Sequence, residues 1–490
     1  MYTSLGNVRK LQKGGLYLVF SSLIFVFLFF VANIITQAVV PDMKKKNIVM
    51  LSFSLFFYAW AGVRYVFLLL GMTFICWFFA RLIAHTERQR ARKTWLAVCV
   101  VLVLAILGFF KYTGFFLRNL QLLTGFPEVI PEIVLPIGIS FYTFQLLSYV
   151  VDVYRGDAEA QEKYWLLLLY ASLFHQCIAG PIVRYRDVNQ DILYRKTNLQ
   201  EISRGVTRFA VGLAKKAILA NGCAAIADGL LAAKTLSTTS VLGVWLGMIS
   251  YMLQIYLDFS AYSDMAIGMG LMCGFHYKEN FNYPYIANSI TDFWRRWHIS
   301  LSSFFRDYVY IPLGGSRCSK GRHIFNMFVV WALTGMWHGA SWNYIFWGLY
   351  FFVFLIVEKY LLDLDRIPGI VRHLLVLLVV LFGWVLFRFE DLSMLGTALG
   401  GMFGFNGNDF TNMETALAFK NNVFFLLFAC VAVTPLGKLL ANFCKNAARE
   451  NRIALWAYGA FDVVLPVGLV FLSAMALAGN SYNPFLYFQF

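Results

Sequence analysis

The sequence predicts an all-α polytopic integral membrane protein, with about eleven or twelve membrane-crossing helices plus interfacial or re-entrant ones. Its 490 residues are 60% hydrophobic and only 14% charged, whereas soluble globular domains carry about 25% charge. Apolar runs of about 17 to 25 residues, each able to cross a hydrocarbon core about 30 Å thick, recur along nearly the whole chain. No stretch reads as a separate soluble domain, so residues 15–490 are expected to form one membrane domain.

Residues 1–14 are polar and basic. They read either as a disordered leader or as the product of an early start codon, and no role is assigned to them. The first apolar run, 15–40, is too long for a signal-peptide core and leads into further membrane segments, which makes it a retained helix. Segments then follow near 47–60, 65–83, 95–110, 134–151, 164–179, 205–231, 242–275, 325–337, 344–362, 371–387, 422–433 and 454–478.

In a soluble protein the formal net charge of +15 would suggest nucleic acid. Here the cations sit in short loops at 44–46, 88–93, 184–196, 215–216 and 317–322, where they orient the chain in a bilayer, and no nucleic-acid partner is expected. Arg9, Lys10 and Lys13 precede the first helix and Lys44 to Lys46 follow it, so charge alone leaves the orientation of the N-terminus open. The eight cysteines are scattered, with no CxxC pair and no metal-ligand spacing.

One stretch breaks the hydropathy pattern. Between residues 277 and 322, Asp292, Arg295, Arg296, His298, Arg306, Asp307, Arg317, Lys320 and Arg322 interleave with aromatics. Such a mixture fits helices at an interface or dipping into a protein-lined cavity, and marks the expected functional core.

His338, in Gly335-Met336-Trp337-His338-Gly339, ends an apolar run. It reads either as a buried histidine bonded across helices or as a general base, kept neutral by burial and able to take a hydroxyl proton. Gly335 and Gly339 would let a substrate approach. His298 lies forty residues earlier. On a helix it would share a face with Trp294 and Ser302, either as an interfacial histidine among aromatics or as a second site histidine. Arg295 and Arg296 suit a cytoplasmic anchor, while Arg295, Arg296 and Arg306 are the candidates to hold donor phosphates. Asp258 and Asp264, with hydroxyl neighbours, read as a structural polar network, to which Asp307 is added, and not as catalysts. His85, His175, His276, His323 and His373 are given no catalytic role. No HExxH, P-loop or GxSxG pattern stands in a suitable context, so no metal and no bound cofactor are expected.

The block Ser289-Ile290-Thr291-Asp292-Phe293-Trp294-Arg295-Arg296-Trp297-His298-Ile299-Ser300-Leu301-Ser302, with Phe305-Arg306-Asp307-Tyr308-Val309-Tyr310-Ile311-Pro312-Leu313-Gly314-Gly315 after it, resembles the bacterial membrane-bound O-acyltransferases (MBOAT family). Leu135 to Tyr142, Val151 to Gly156, Ile178 to Pro181 and Asp258-Phe259-Ser260 are similar to the alginate O-acetyltransferase branch in particular. The resemblance runs from about Val19 into the C-terminal third.

The resemblance implies a bacterial inner-membrane O-acyltransferase. His338 would be its catalytic histidine and His298 its second active-site histidine, lining a central tunnel where a cytoplasmic acyl thioester, acetyl-CoA or an acyl carrier, meets an extracytoplasmic acceptor. An SGNH-type partner would complete transfer to a polysaccharide or other envelope polymer, and the N-terminus would face outward. Ala261 stands where that branch usually has glycine and His175 where proline is common. The D-alanyl teichoic-acid branch lacks the Ile311 to Gly315 run, which favours acetyl over D-alanyl.

A transporter or flippase is the rival class, but its polar residues would recur in two halves. Here they gather around His298 and His338. The chain closes on an apolar helix and an aromatic tail, residues 454–490. The tail suits an interfacial belt. Its Phe485-x-Tyr487-x-x-Phe490 pattern also resembles the C-terminal motif of the small single-helix partner in D-alanylation, which would make Tyr487 an acyl carrier.

Overall fold

The computed structural model describes residues 19–127, 129–176, 180–450 and 452–479, and these contain helices and loops but no strand. The helices are α1 (Phe25–Val39), α2 (Met43–Ala61), α3 (Val63–His85), α4 (Gln89–Thr124), α5 (Ile139–Arg155), α6 (Tyr164–Ser172) and α7 (Tyr185–Tyr194). They continue as α8 (Leu199–Leu230), α9 (Val241–Cys273), α10 (Ile290–Arg296), α11 (Ile299–Phe305), α12 (Lys320–His338) and α13 (Trp342–Tyr360). The last are α14 (Gly369–Arg388), α15 (Leu392–Met402), α16 (Met413–Ala432), α17 (Leu436–Glu450) and α18 (Arg452–Gly479).

Seven described helices, α3, α4, α8, α9, α14, α16 and α18, are long and apolar enough to cross a membrane. The chain is a multi-pass membrane protein. Helices α2, α12 and α13, at 19 residues each, reach about 28 Å but carry charged residues toward one end. The segment expected at 134–151 begins only at Ile139, because Gly138 sits at φ 75° just before the helix. The one expected at 164–179 stops at Ser172, and Leu173 leaves the helical region. Helix α4 runs to 36 residues, well past the expected 95–110. Residues 1–14 lie outside the described residues.

Helix α9 is the centre of the protein. It is buried along nearly its whole length, as a helix enclosed by others is. Its main neighbour is α8, and Gly205 and Gly268 make the approach possible: a Cβ on Gly205 would lie 2.7 Å from the Gly268 carbonyl oxygen. Helix α8 carries a π turn at Lys215–Ala220. From it Lys216 pairs with Asp258 of α9 at 2.8 Å, both side chains only 2% exposed. Helices α4, α16 and α18 lie at the periphery with most of their apolar surface outward, as lipid-facing helices do.

Candidate active site

A cavity of about 430 Å³ opens where α10, α11, α12 and α13 meet, and His298 and His338 both line it. Trp294, Trp331, Leu355 and Phe305 supply apolar wall; Thr291, Ser302, Thr334, Tyr310, Arg295 and Arg306 supply the polar part.

His338 is the last residue of α12. A helix end leaves carbonyls without internal partners, and here α4 supplies donors. The Tyr112 hydroxyl donates to the Met336 carbonyl at 2.7 Å, and the Lys111 ammonium donates to the Trp337 carbonyl and lies 3.5 Å from that of His338. Aromatic rings box the imidazole edge to face: Trp337 at 5.0 Å, Trp347 at 4.9 Å and Phe387 at 5.2 Å. Nδ1 of His338 is buried with no hydrogen-bond partner among the described residues.

The glycines beside His338 do not make room for a substrate. A Cβ on Gly335 would lie 2.4 Å from the Tyr344 carbonyl oxygen, and one on Gly339 would lie 2.2 Å from the Tyr344 ring. They let α12 and α13 close on each other.

His298 is not inside a helix, contrary to the face-sharing expected with Trp294 and Ser302. Helix α10 ends at Arg296, α11 begins at Ile299, and His298 between them is left-handed at φ 44°. This is an uncommon conformation that histidine tolerates better than most residues, and it must be held by its surroundings. The segment at 280–282 holds it: Asn282 N–H donates to the Arg296 carbonyl and Ile299 N–H to the Asn280 carbonyl, each at 2.9 Å. Trp294 and Ser302 still reach the same cavity, through the bend. The His298 ring packs edge-on to Phe259 at 4.7 Å, and its Nδ1 lies 3.2 Å from Asn280 Oδ1. Burial lowers its pKa to about 3, so the ring is neutral near pH 7. Its Nε2 is buried with no partner among the described residues.

Of the three expected donor-binding arginines, Arg295 and Arg306 line the cavity. Arg296 is not among them: its Nε lies 2.8 Å from Asp292 of its own helix and its Nη1 donates to the Asn282 carbonyl at 3.3 Å. The three acids of the expected polar network belong to separate ion-pair sets. Asp258 faces Lys216, Asp264 faces Arg208 at 2.9 Å and Lys215 at 2.7 Å, and Asp307 faces Arg184 at 2.8 Å and Arg306 at 2.7 Å. The other described histidines do not line the cavity and are held by partners, as in His175 with Tyr277 at 2.6 Å and His323 between Tyr310 and Tyr360. No group of side chains suited to a metal ion occurs among the described residues. Tyr487 lies outside them.

Lys111, Tyr112 and Asn280 were not singled out from the sequence. Lys111 carried a readable signal, an ammonium inside a long apolar run. Asn280 carried none, because its bonds form only when its loop meets the α10–α11 bend.

The model of the membrane-bound O-acyltransferase family matches residues 164–399, a range that includes both histidines. The chain is 38% identical over 504 residues to a protein named probable alginate O-acetylase in Azotobacter vinelandii, across 96% of this chain and 100% of the relative. To the peptidoglycan O-acetyltransferase of Helicobacter pylori it is 33% identical over 526 residues, across 96% and 98%. The teichoic acid D-alanyltransferase of Bacillus subtilis is 29% identical over 271 residues, across 52% and 68%.

Proposed function

We infer that this chain, which belongs to the membrane-bound O-acyltransferase family, transfers an acetyl group from a cytoplasmic thioester to a hydroxyl destined for an exported or envelope polysaccharide, from the inner membrane of a bacterium. The observation that carries this reading is the meeting of His298 and His338 in one cavity although forty residues and two helices separate them. Acetyl is favoured over D-alanyl because the alginate and peptidoglycan O-acetyltransferase relatives align along nearly the whole chain and the D-alanyl relative along about half.

In the proposed reaction neutral His338 accepts the proton of the attacking hydroxyl. The oxygen forms a bond to the thioester carbonyl carbon, the carbon–sulfur bond breaks, and the thiolate leaves and recovers the proton from the imidazolium. His298 positions a reactant. Arg295 and Arg306 meet phosphates of the donor, acetyl-CoA or an acyl carrier, at the cavity rim. Tyr487 would relay the acetyl group to an SGNH-type extracytoplasmic partner, its hydroxyl forming the ester in place of the polysaccharide hydroxyl.

The test is His338→Ala, followed by polymer O-acetyl content and by monodispersity of the extracted protein. Loss of a general base lowers the rate by about 10² to 10⁴ in a protein that still folds. Wild-type acetylation by well-folded His338→Ala would overturn the reading.

A further inference from the structure

We propose that Asn280 is a positioning residue that fixes His298 as the Nδ1–H tautomer, so that its Nε2 meets the reactants as a lone-pair acceptor. The oxygen and nitrogen of the Asn280 amide differ in what they can bond: the oxygen accepts and the nitrogen donates. Main-chain N–H groups can only donate, and the N–H of Ser300 points at Asn280 Oδ1 at 3.1 Å. The atom facing the α10–α11 bend is therefore the oxygen. If the amide were reversed, two donors would face each other in a site where Asn280 is 0% exposed, leaving both without an acceptor in a place water does not reach. The amide nitrogen is accounted for on its other side, donating to Ser263 Oγ at 3.1 Å.

With the oxygen fixed, the proton on His298 follows. Nδ1 lies 3.2 Å from Oδ1, and two lone pairs at that distance repel, so Nδ1 must carry the hydrogen. Ser300 does not offer an alternative. Its hydroxyl lies 3.4 Å from Nδ1 but only 2.8 Å from Oδ1, and it already accepts the Ile182 N–H at 3.0 Å. Its single proton goes to Oδ1. A neutral imidazole has one hydrogen, which leaves Nε2 bare on a ring that lines the cavity.

The reactant group that His298 meets must then be a donor, an O–H or N–H. A hydroxyl of the acceptor or an amide N–H of the thioester's arm fits this description. The thioester carbonyl oxygen and the oxyanion it becomes do not. This last step rests on the acyl-transfer reading; the tautomer does not.

Nitrogen NMR of the full-length protein in bilayers, with ¹⁵N-labelled histidine and His298 assigned by difference from His298→Gln, tests the tautomer without any turnover. The expected spectrum shows Nδ1 protonated and Nε2 bare, and loses that preference in Asn280→Leu. A wild-type spectrum with bare Nδ1, or an unchanged one in Asn280→Leu, overturns the proposal. In the acyl-transfer assay Asn280→Asp, which keeps the acceptor oxygen, should stay within about tenfold of wild type. Asn280→Leu should lose about 10²-fold in kcat with KM within about twofold. Equal kcat losses in the two variants would also overturn it.

Discussion

Lys111, in the middle of α4, donates its ammonium to the main-chain carbonyl of Trp337, the residue that leads into His338. The contact joins a peripheral helix to the end of the helix that carries the proposed base. A cation at a helix C-terminus is favourable both as a donor and against the helix dipole. Lys111→Met leaves the Trp337 and His338 carbonyls without this donor, which costs about 1–3 kcal/mol. The expected outcome is a lower melting temperature together with weakened acetyl transfer. Unchanged melting and unchanged transfer would make the contact incidental.

The depressed pKa of His298 has a consequence for stability. The unfolded chain binds a proton at His298 below about pH 6.5, whereas the folded chain resists it down to about pH 3. Between these limits the unfolded state holds more protons, so folding stability falls as pH falls. Melting temperatures taken from about pH 7 to about pH 4 should decline, and His298→Gln should decline less steeply than wild type. Parallel curves would contradict the burial of a neutral imidazole.

Two glycines of α12 should respond oppositely to the same change. Gly335→Ala drives a methyl group into the Tyr344 backbone, whereas Gly321→Ala meets nothing within 4 Å. The first should destabilise by about 1–3 kcal/mol; the second, in an exposed helical turn, should be neutral or stabilising by about 1 kcal/mol. A raised KM with unchanged melting in Gly335→Ala would restore the view that this glycine opens a path for substrate.

For the tail, Tyr487→Phe keeps an aromatic belt but removes the hydroxyl proposed to carry the acyl ester. Polymer acetylation should be lost while donor thioester hydrolysis continues, and the wild-type C-terminal peptide should show an acetyl mass shift on Tyr487. Normal acetylation by Tyr487→Phe would leave the tail with an interfacial role alone.

The membrane helices were legible because hydropathy over about 20 residues is a local property. That Asp258 and Asp264 are structural follows from their residue type at membrane depth, but their separate cationic partners, Lys216 for one and Arg208 with Lys215 for the other, depend on how α8 meets α9. His338 could be placed at the end of its helix from the apolar run before it. Nothing in Trp297-His298-Ile299 announces a left-handed turn, so the sequence alone puts His298 on a helix face. That bend is imposed from outside by the main chain of Asn280 and Asn282. The glycines at 335 and 339 are ambiguous in sequence for a related reason. Small residues beside a site look alike whether they admit a ligand or another helix, and only the position of Tyr344 separates the cases.

The Lys216–Asp258 pair constrains how the protein can be made. Alone in the bilayer, α8 would bring a bare ammonium into hydrocarbon and α9 a bare carboxylate, each costing about 2.5–3.5 kcal/mol at the membrane centre. Together they bring neither, because each neutralises the other at 2.8 Å. The two helices are consecutive, joined by residues 231–240, so the second follows the first out of the ribosome within seconds. The hairpin is thus favoured to enter the membrane as one unit, and a break between its helices during synthesis would strand the first half before its counter-charge exists.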